Sequence, residues 1–404
     1  MLMPLKDIRV LELSNVLAGP SAGVALAELG ATVIKVENLL TCGDVTRTWK
    51  LPSEDKDTDI SGYFSCVNWG KKSVVIDLSN DDGLNIVYNL TRVCDIVIVS
   101  YKPGDAEKLK VDYKTLNKWN SRIIYAHVTG YGQDNPRAGY DAIIQAESGF
   151  TFMNGEQDGQ PVKMPVALID ILAGHQLKEA ILLALFSRER SGKGSYVETS
   201  LLKSGVSALA NQAANWLVGN TIPGRMGSDH PNIVPYGTIY YSRDNKPIVL
   251  AIGNDKQFAV LCSILGDKDQ AKEERFARNF DRVKNRIELN QILHKLISGF
   301  DRKALIRELD NKNVPAGGVL NMKEVFEKAE AAELIIEGKM DDGKTLKGMR
   351  TVAFSFDGNT YVNQFTPPPH YGEHTIRILS ELLGMSSETI EKLIEKNIVY
   401  EGSR

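Results

Sequence analysis

Ile8-Arg9-Val10-Leu11-Glu12-Leu13, then Ala18-Gly19-Pro20-Ser21, residues 22–29, Gly30 and Thr32-Val33-Ile34-Lys35-Val36-Glu37 form the stretch that decides the fold. The first six residues, rich in Ile, Val and Leu, read as a short strand. A turn-rich connector leads into an alanine- and leucine-rich run over 22–29 with helical character, and Gly30 stops it. Residues 32–37, again β-branched, read as a second strand. Strand, helix and strand in so short a span make a βαβ unit, whose two strands run parallel because the helix carries the chain back across the sheet.

Working outward, the alternation repeats. Residues 73–78 read as strand, 81–91 as helix, 95–99 as strand and 123–128 as strand. Strands alternating with helices predict an open, mostly parallel, Rossmann-like α/β sheet. Ligands of such sheets sit outside the carboxyl ends of the strands, here Asn15 to Ala18, Asn38, Ser100-Tyr101-Lys102 and Thr129-Gly130-Tyr131. Glu37 closes the second strand, where dinucleotide-binding folds carry an acidic residue. The first loop, however, offers Gly19 and Gly23 around Pro20 in place of G-x-G-x-x-G, which counts against a nicotinamide-dependent dehydrogenase.

Further along lies Pro161-Val162-Lys163-Met164-Pro165-Val166-Ala167-Leu168-Ile169-Asp170-Ile171-Leu172-Ala173-Gly174-His175, an apolar run fit for burial and interrupted by one carboxylate. Burial disfavours a charged carboxylate, so Asp170 caps a helix, is paired, or is poised for chemistry. As Asp is a preferred N-cap, the simplest reading makes it the cap of a long helix over 174–190. A strand at 196–199 and a helix over 201–218 follow. Residues 219–236, rich in Gly, Pro and Asn, read as a linker or active-site loop. Strands near 239–241 and 248–251 precede charged amphipathic helices, a strand at 315–320 and a helix at 323–331. The expected division is a large α/β domain over 1–220, a smaller α+β domain with its linkers over 221–330, and a return to the large domain over 331–404.

Composition bounds the function. The chain has 404 residues, 43% hydrophobic and 25% charged, ordinary for a globular protein. A net charge of −3 gives no global attraction to nucleic acid or an anionic membrane, so neither is expected as a partner. A polyanionic ligand would need a local cluster, and Arg47, Lys71, Lys72, Lys102, Lys108 and Arg137 recur near the expected strand ends. Cys42, Cys66, Cys94 and Cys262 form no C-x-x-C pair, which argues against a zinc site or a disulfide framework and suits a reducing compartment. No leader precedes the first strand and no run is long enough to span a membrane, so a cytoplasmic enzyme is expected. The sequence lacks G-x-S-x-G, H-E-x-x-H and Walker patterns. His127 in an apolar strand reads as a packed core residue. His175, five residues past Asp170, falls off its helical face.

Several stretches together resemble family III CoA-transferases, the formyl-CoA transferase and carnitine CoA-transferase family. They are Val16-Leu17-Ala18-Gly19-Pro20, Gly43-Asp44-Val45-Thr46-Arg47, Lys71-Lys72-Ser73, Thr129-Gly130-Tyr131-Gly132-Gln133, Ala138-Gly139-Tyr140-Asp141, Ile169-Asp170-Ile171-Leu172-Ala173-Gly174, Ser191-Gly192-Lys193-Gly194 and Gly372-Glu373-His374-Thr375. They stand in the family's order and cover the chain from Leu5 to about Val399. The resemblance implies an interlocked homodimer in which both ends of the chain build the large domain. It implies Asp170 as the catalytic aspartate and no permanently bound cofactor, coenzyme A and its acyl thioesters being substrates. It places Lys102 and Lys108 best, with Lys71, Lys72 and Arg137, at the phosphates of CoA, and Leu17, Ala18, Ser100, Tyr101 and Tyr131 along the adenine and pantetheine path.

Ala213-Ala214-Asn215-Trp216-Leu217-Val218-Gly219, Ile233-Val234-Pro235-Tyr236 and Gly253-Asn254-Asp255-Lys256-Gln257-Phe258 look like the succinyl-CoA:dicarboxylate branch, which acts on glutarate or hydroxymethylglutarate. Arg47, Arg137 and Arg225 are candidate partners for a distal carboxylate. Two departures bear on substrate: Asn38-Leu39-Leu40 follows Glu37 where the family often has Arg or a Pro turn, and 253–257 keeps one glycine of the run that covers the aspartate in formyl-CoA transferase. Related α-methylacyl-CoA racemases carry His where this chain has Tyr140, which removes half of a two-base relay.

Overall fold

In the computed structural model, which describes residues 3–340, 342–355 and 365–402, six parallel strands organise the chain. They are β1 (Arg9–Leu13), β2 (Thr32–Asn38), β3 (Lys71–Ile76), β4 (Ile96–Val99), β5 (Ile124–Thr129) and β6 (Ser195–Ser200). They lie side by side as β3-β2-β1-β4-β5-β6. Register is set by the pairs Val10 with Val33 and Ile96, and Val97 with Tyr125. The order reverses direction between β1 and β4, the topological switch point where such sheets open a crevice.

Helices on both faces leave β1 to β5 almost wholly buried, whereas the edge strand β6 alternates between half-buried and exposed residues. On one face Leu11, Ile34, Val74 and Val97 pack with Leu84, Val87 and Leu90 of the helix Asp81–Val93. The other face of β1, β2 and β3 is buried and charged: Glu12 lies in register with Lys35, and Lys35 with Ser73. The helix Ala18–Glu28 covers it, and its small residues let it approach. A Cβ on Gly23 would stand 1.9 Å from Glu12 Oε2.

The chain divides into two compact units, one of residues 1–148, 164–211 and 330–404, the other of 149–163 and 212–329. In the second, β7 (Tyr236–Tyr241), β8 (Pro247–Ala251) and β9 (Ala316–Gly318) form an antiparallel sheet. Its core joins Tyr240, Ile248 and Leu250 to Phe258, Leu289 and Leu293 from the helices Asp255–Ile264 and Arg286–Ile297. Asn254 caps the first of these helices through its bond from Gln257 N–H, as its place after Gly253 suggests. After residue 330 the chain returns to the first unit through the hairpin β10 (Ile335–Lys339) and β11 (Thr345–Met349). The final strand, β12 (Val399–Tyr400), adds antiparallel to β3.

Three sequence expectations change. The long helix spans Leu168–Ser191, so it starts six residues before 174 and contains Asp170. The helix expected over 201–218 is two, Leu201–Ser207 and Ala210–Leu217, broken where Ala210 takes a left-handed φ of 46°. The apolar run leading to Asp170 is not buried in the single chain: Val162 is 48% exposed and Val166 52%.

Candidate active site

At the switch point Asn15 N–H donates to Ser100 Oγ at 3.1 Å, tying the end of β1 to the end of β4. Around this junction opens a cavity of about 230 Å³. Its walls are Asn15 to Ala18 past β1, Ser100 to Lys102 past β4, Val128 to Gly130 at the end of β5, Arg137 to Tyr140, Asp170 and Leu201. Two glycines bring the β5 loop and the 137–140 segment together. A Cβ on Gly130 would meet Gly139 Cα at 2.6 Å, so neither position accepts a side chain.

Asp170 is the third residue of its helix, inside the first turn. The N-cap is Ala167, which has no side chain to offer the orphan N–H groups. Asp141 supplies the cap from a distance: its Oδ1 accepts from Ile169 N–H at 2.8 Å. Gln145 holds the arrangement by donating to Asp141 Oδ2 at 2.7 Å and accepting from Met164 N–H at 2.8 Å. Relieved of capping, the Asp170 carboxylate has no hydrogen-bond partner among the described residues and opens on the cavity. Only 7% exposed, it is pushed up to about 7 by burial and then by the charge of Asp141. A weakly solvated carboxylate at a helix N-terminus, facing a cavity, is a group able to act as a nucleophile. The helix is seated by Gly174, where a Cβ would stand 1.9 Å from Ser21 Oγ and 2.9 Å from the Ala18 carbonyl.

Of the residues anticipated from sequence, Leu17, Ala18, Ser100, Tyr101, Lys102, Arg137 and Asp170 meet at this cavity. Lys102 is exposed and makes no side-chain hydrogen bond or ion pair among the described residues. Arg137 pairs with Glu147 at 2.6 Å and lies over the Tyr131 ring at 4.4 Å, so Tyr131 supports the rim from behind. Lys108 stands apart, exposed and paired with Asp105 at 3.1 Å.

The structure corrects the assignments of Lys71, Lys72 and Arg47. Lys71 and Lys72 lie at the amino end of β3, not at a carboxyl end. Lys71 is 1% exposed, with its ammonium 2.8 Å and 2.9 Å from the Glu12 oxygens and 2.9 Å from Pro20 O, so it has no bond left for a phosphate. Lys72 points to a different environment, half-buried with Arg377 and Glu381 as its charged surroundings. Arg47 is buried, bound to Glu37 at 2.6 Å and 2.9 Å and stacked 3.8 Å from the Phe64 ring centre, and so is unavailable to a substrate carboxylate. Arg225 belongs to the second unit, where it donates to Phe152 O at 3.4 Å.

Sequence reading missed Asp141 in its capping role and passed over Tyr63. That phenol packs edge-on to Trp49 with ring centres 5.0 Å apart. It is raised to about 12 by burial and then by the negative charge of Asp170, so it stays protonated near the carboxylate. The only local signal for Asp141 was its place after Gly139-Tyr140.

Comparison with known proteins identifies the family. The model of CoA-transferase family III matches residues 5–375. A succinate–glutarate CoA-transferase of Agrobacterium fabrum is 39% identical over 96% of this chain and 97% of its own length. The succinyl-CoA:glutarate CoA-transferase of Mus musculus is 36% identical over 98% of this chain and 90% of its own. A crystal structure of a CAIB/BAIF family protein from Brucella suis superposes with a TM-score of 0.80 at 36% identity, covering 94% of this chain and 99% of that one. The chain belongs to CoA-transferase family III.

Proposed function

We propose that this enzyme moves CoA from succinyl-CoA to a short dicarboxylic acid, with Asp170 as the nucleophile. The observation that carries the reading is the Asp170 carboxylate, buried, without a hydrogen bond among the described residues and open to the switch-point cavity. The relatives named for succinyl-CoA and glutarate supply the substrate class.

The carboxylate attacks the thioester carbonyl of the donor, the C–S bond breaks, and CoA thiolate leaves a mixed anhydride on Asp170. Thiolate then attacks the Asp170 carbonyl carbon, releasing the donor acid as carboxylate and leaving an aspartyl-CoA thioester. The acceptor carboxylate attacks that thioester, freeing thiolate and forming a second anhydride. Thiolate closes the cycle at the acceptor carbonyl and returns Asp170 as carboxylate. No proton or electron is gained or lost overall. Exclusion of water protects each anhydride from hydrolysis, which the near-complete burial of Asp170 serves.

Lys102 gives the cavity mouth positive charge for the CoA phosphates, with Arg137, paired to Glu147, beside it and Lys108 further out. Leu17, Ala18, Ser100 and Tyr101 line the path toward Asp170. Tyr140 lines the cavity where a racemase of this kind would carry His, which favours transfer over racemisation. An interlocked homodimer belongs to the same reading. Val166, Leu183 and Phe186, on and before the Asp170 helix, are 52%, 68% and 58% exposed and call for a covering partner. All four cysteines are free, two of them exposed, which supports a reducing compartment such as the cytoplasm. No helix among the described residues is long and apolar enough to cross a membrane.

Asp170→Ala should abolish transfer from succinyl-CoA to glutarate while CoA binding survives within a few-fold. Undiminished turnover would overturn the assignment of Asp170. A screen of succinyl-CoA against short dicarboxylic and branched acids tests the substrate class, and a preference for monocarboxylic acceptors would overturn it.

A further inference from the structure

One wall of the Asp170 cavity rests on a backbone conformation that its own residue disfavours. Val16 has a φ of 70°, in the left-handed region, where a β-branched side chain is an outlier. Its N–H points at the Asp44 carboxylate, 3.2 Å from Oδ2 and 3.4 Å from Oδ1. Asp44 is 1% exposed and is itself oriented by Lys35 Nζ at 2.9 Å, by Thr46 N–H at 3.0 Å and by the Thr46 hydroxyl at 2.8 Å.

We infer that the buried Lys35–Asp44 pair positions the cavity wall: Asp44 holds Val16 in its left-handed conformation and so fixes Asn15 to Ala18 on the wall they share with Asp170. The rest of the cluster does the same for neighbouring backbone. Lys35 Nζ also donates to Ser14 O at 2.8 Å, and Lys71 Nζ donates to Pro20 O at 2.9 Å. Glu12 joins the two lysines, at 3.4 Å from Lys35 and 2.8 Å from Lys71. Two carboxylates and two ammonium groups thus cancel in charge and grip backbone at 14 and 20, on either side of the lining segment, and at 16 within it.

Buried ion pairs are poor sources of stability, since apolar side chains of similar volume serve as well or better. Apolar side chains could not bind these backbone groups, which gives the charges a task that packing cannot perform. Burial by itself would lower the Lys35 pKa, yet Asp44, Glu12 and Glu37 outweigh it and hold the ammonium charged. None of the four charged side chains lines the cavity, so Lys35 and Asp44 are positioning residues, not catalytic ones.

The inference rests on the reading of this cavity as the acyl-CoA site. Its test is a double-mutant cycle between positions 44 and 16, read as kcat/KM for succinyl-CoA well below each variant's melting temperature. Glycine adopts a φ of this sign without strain, so Val16→Gly removes the need for the Asp44 contact. Asp44→Asn should lower kcat/KM by about tenfold or more beside Val16, but by no more than about threefold in the Val16→Gly background. If Asp44→Asn does not fold, Thr46→Val carries the same cycle. It is nearly isosteric, leaves the charges balanced and removes one bond that aims the Asp44 carboxylate. Equal losses in both backgrounds, or no loss beside Val16, would overturn the inference. Asp170→Ala measured alongside separates the two claims: an inactive Asp170→Ala with an additive cycle rejects only the positioning role, whereas an active one rejects the reading of the site.

Discussion

Asp170→Asn should make the folded protein more stable, and increasingly so as the pH rises. Burial, and then the charge of Asp141, lift the folded-state pKa of Asp170 from 3.8 to about 7. The folded state therefore binds this proton more tightly than the unfolded chain does. Stability from that proton is fully present below the unfolded value and is lost as the pH rises through the folded one. A rise of about 3 pKa units corresponds to about 4 kcal/mol of destabilisation once the carboxylate is ionised in both states. Of this, about 2 kcal/mol falls between about pH 5.5 and about pH 8.5. Asn keeps the shape and cannot ionise, so the variant escapes the loss. Urea unfolding of both proteins at equal concentration and at these two pH values measures the effect. The stability gap between variant and wild type should widen by about 2 kcal/mol at the higher pH. A gap of the same size at both pH values would refute the claim that Asp170 is held as an unfavourable buried charge.

Three further outcomes follow from the same geometry. The wild-type kcat/KM should climb through an inflection near the Asp170 value of about 7, and Asp141→Asn should move that inflection to lower pH because it removes a neighbouring negative charge while keeping an acceptor for Ile169 N–H. Lys102→Ala should raise the KM for acyl-CoA about three- to tenfold with little change in kcat, and the defect should shrink as salt screens the phosphates; isotherms of CoA binding at low and high salt check it. Lys71→Met should leave Glu12 buried without its closest cation and cost on the order of 3–5 kcal/mol in unfolding free energy, whereas a phosphate-binding lysine would change CoA affinity and leave stability alone.

The strands of the large unit were legible because parallel strands buried on both faces are long β-branched runs, as at Thr32 to Asn38 and Lys71 to Ile76. Once the strands were placed, their carboxyl ends followed, which is why Ser100, Tyr101, Lys102 and the Val16 to Ala18 turn could be named from sequence. Partners remote in sequence could not. Asp170 resembled an N-cap because the true source of the cap, Asp141, lies 28 residues from the N–H it serves. Lys71 resembled a rim lysine because its carboxylate partner, Glu12, is 59 residues away and on another strand. Arg47 was misread for the same reason, its charge being spent on Glu37 across a turn. The hairpin at 335–349 did carry a local signal, Asp342-Gly343 between alternating residues, and was legible in principle. The exposed run at 162–166 shows the opposite limit. Apolar sequence predicts burial, yet Val162 and Val166 are about half exposed in the single chain.

A covalent acyl group on the Asp170 carboxylate can be trapped as it forms. The enzyme incubated with succinyl-CoA and hydroxylamine, without acceptor acid, should yield a hydroxamate on Asp170, seen by peptide mass spectrometry and absent when succinyl-CoA is omitted. An unmodified Asp170 at saturating succinyl-CoA, or the adduct on another residue in both wild type and Asp170→Ala, would rule out Asp170 as the nucleophile.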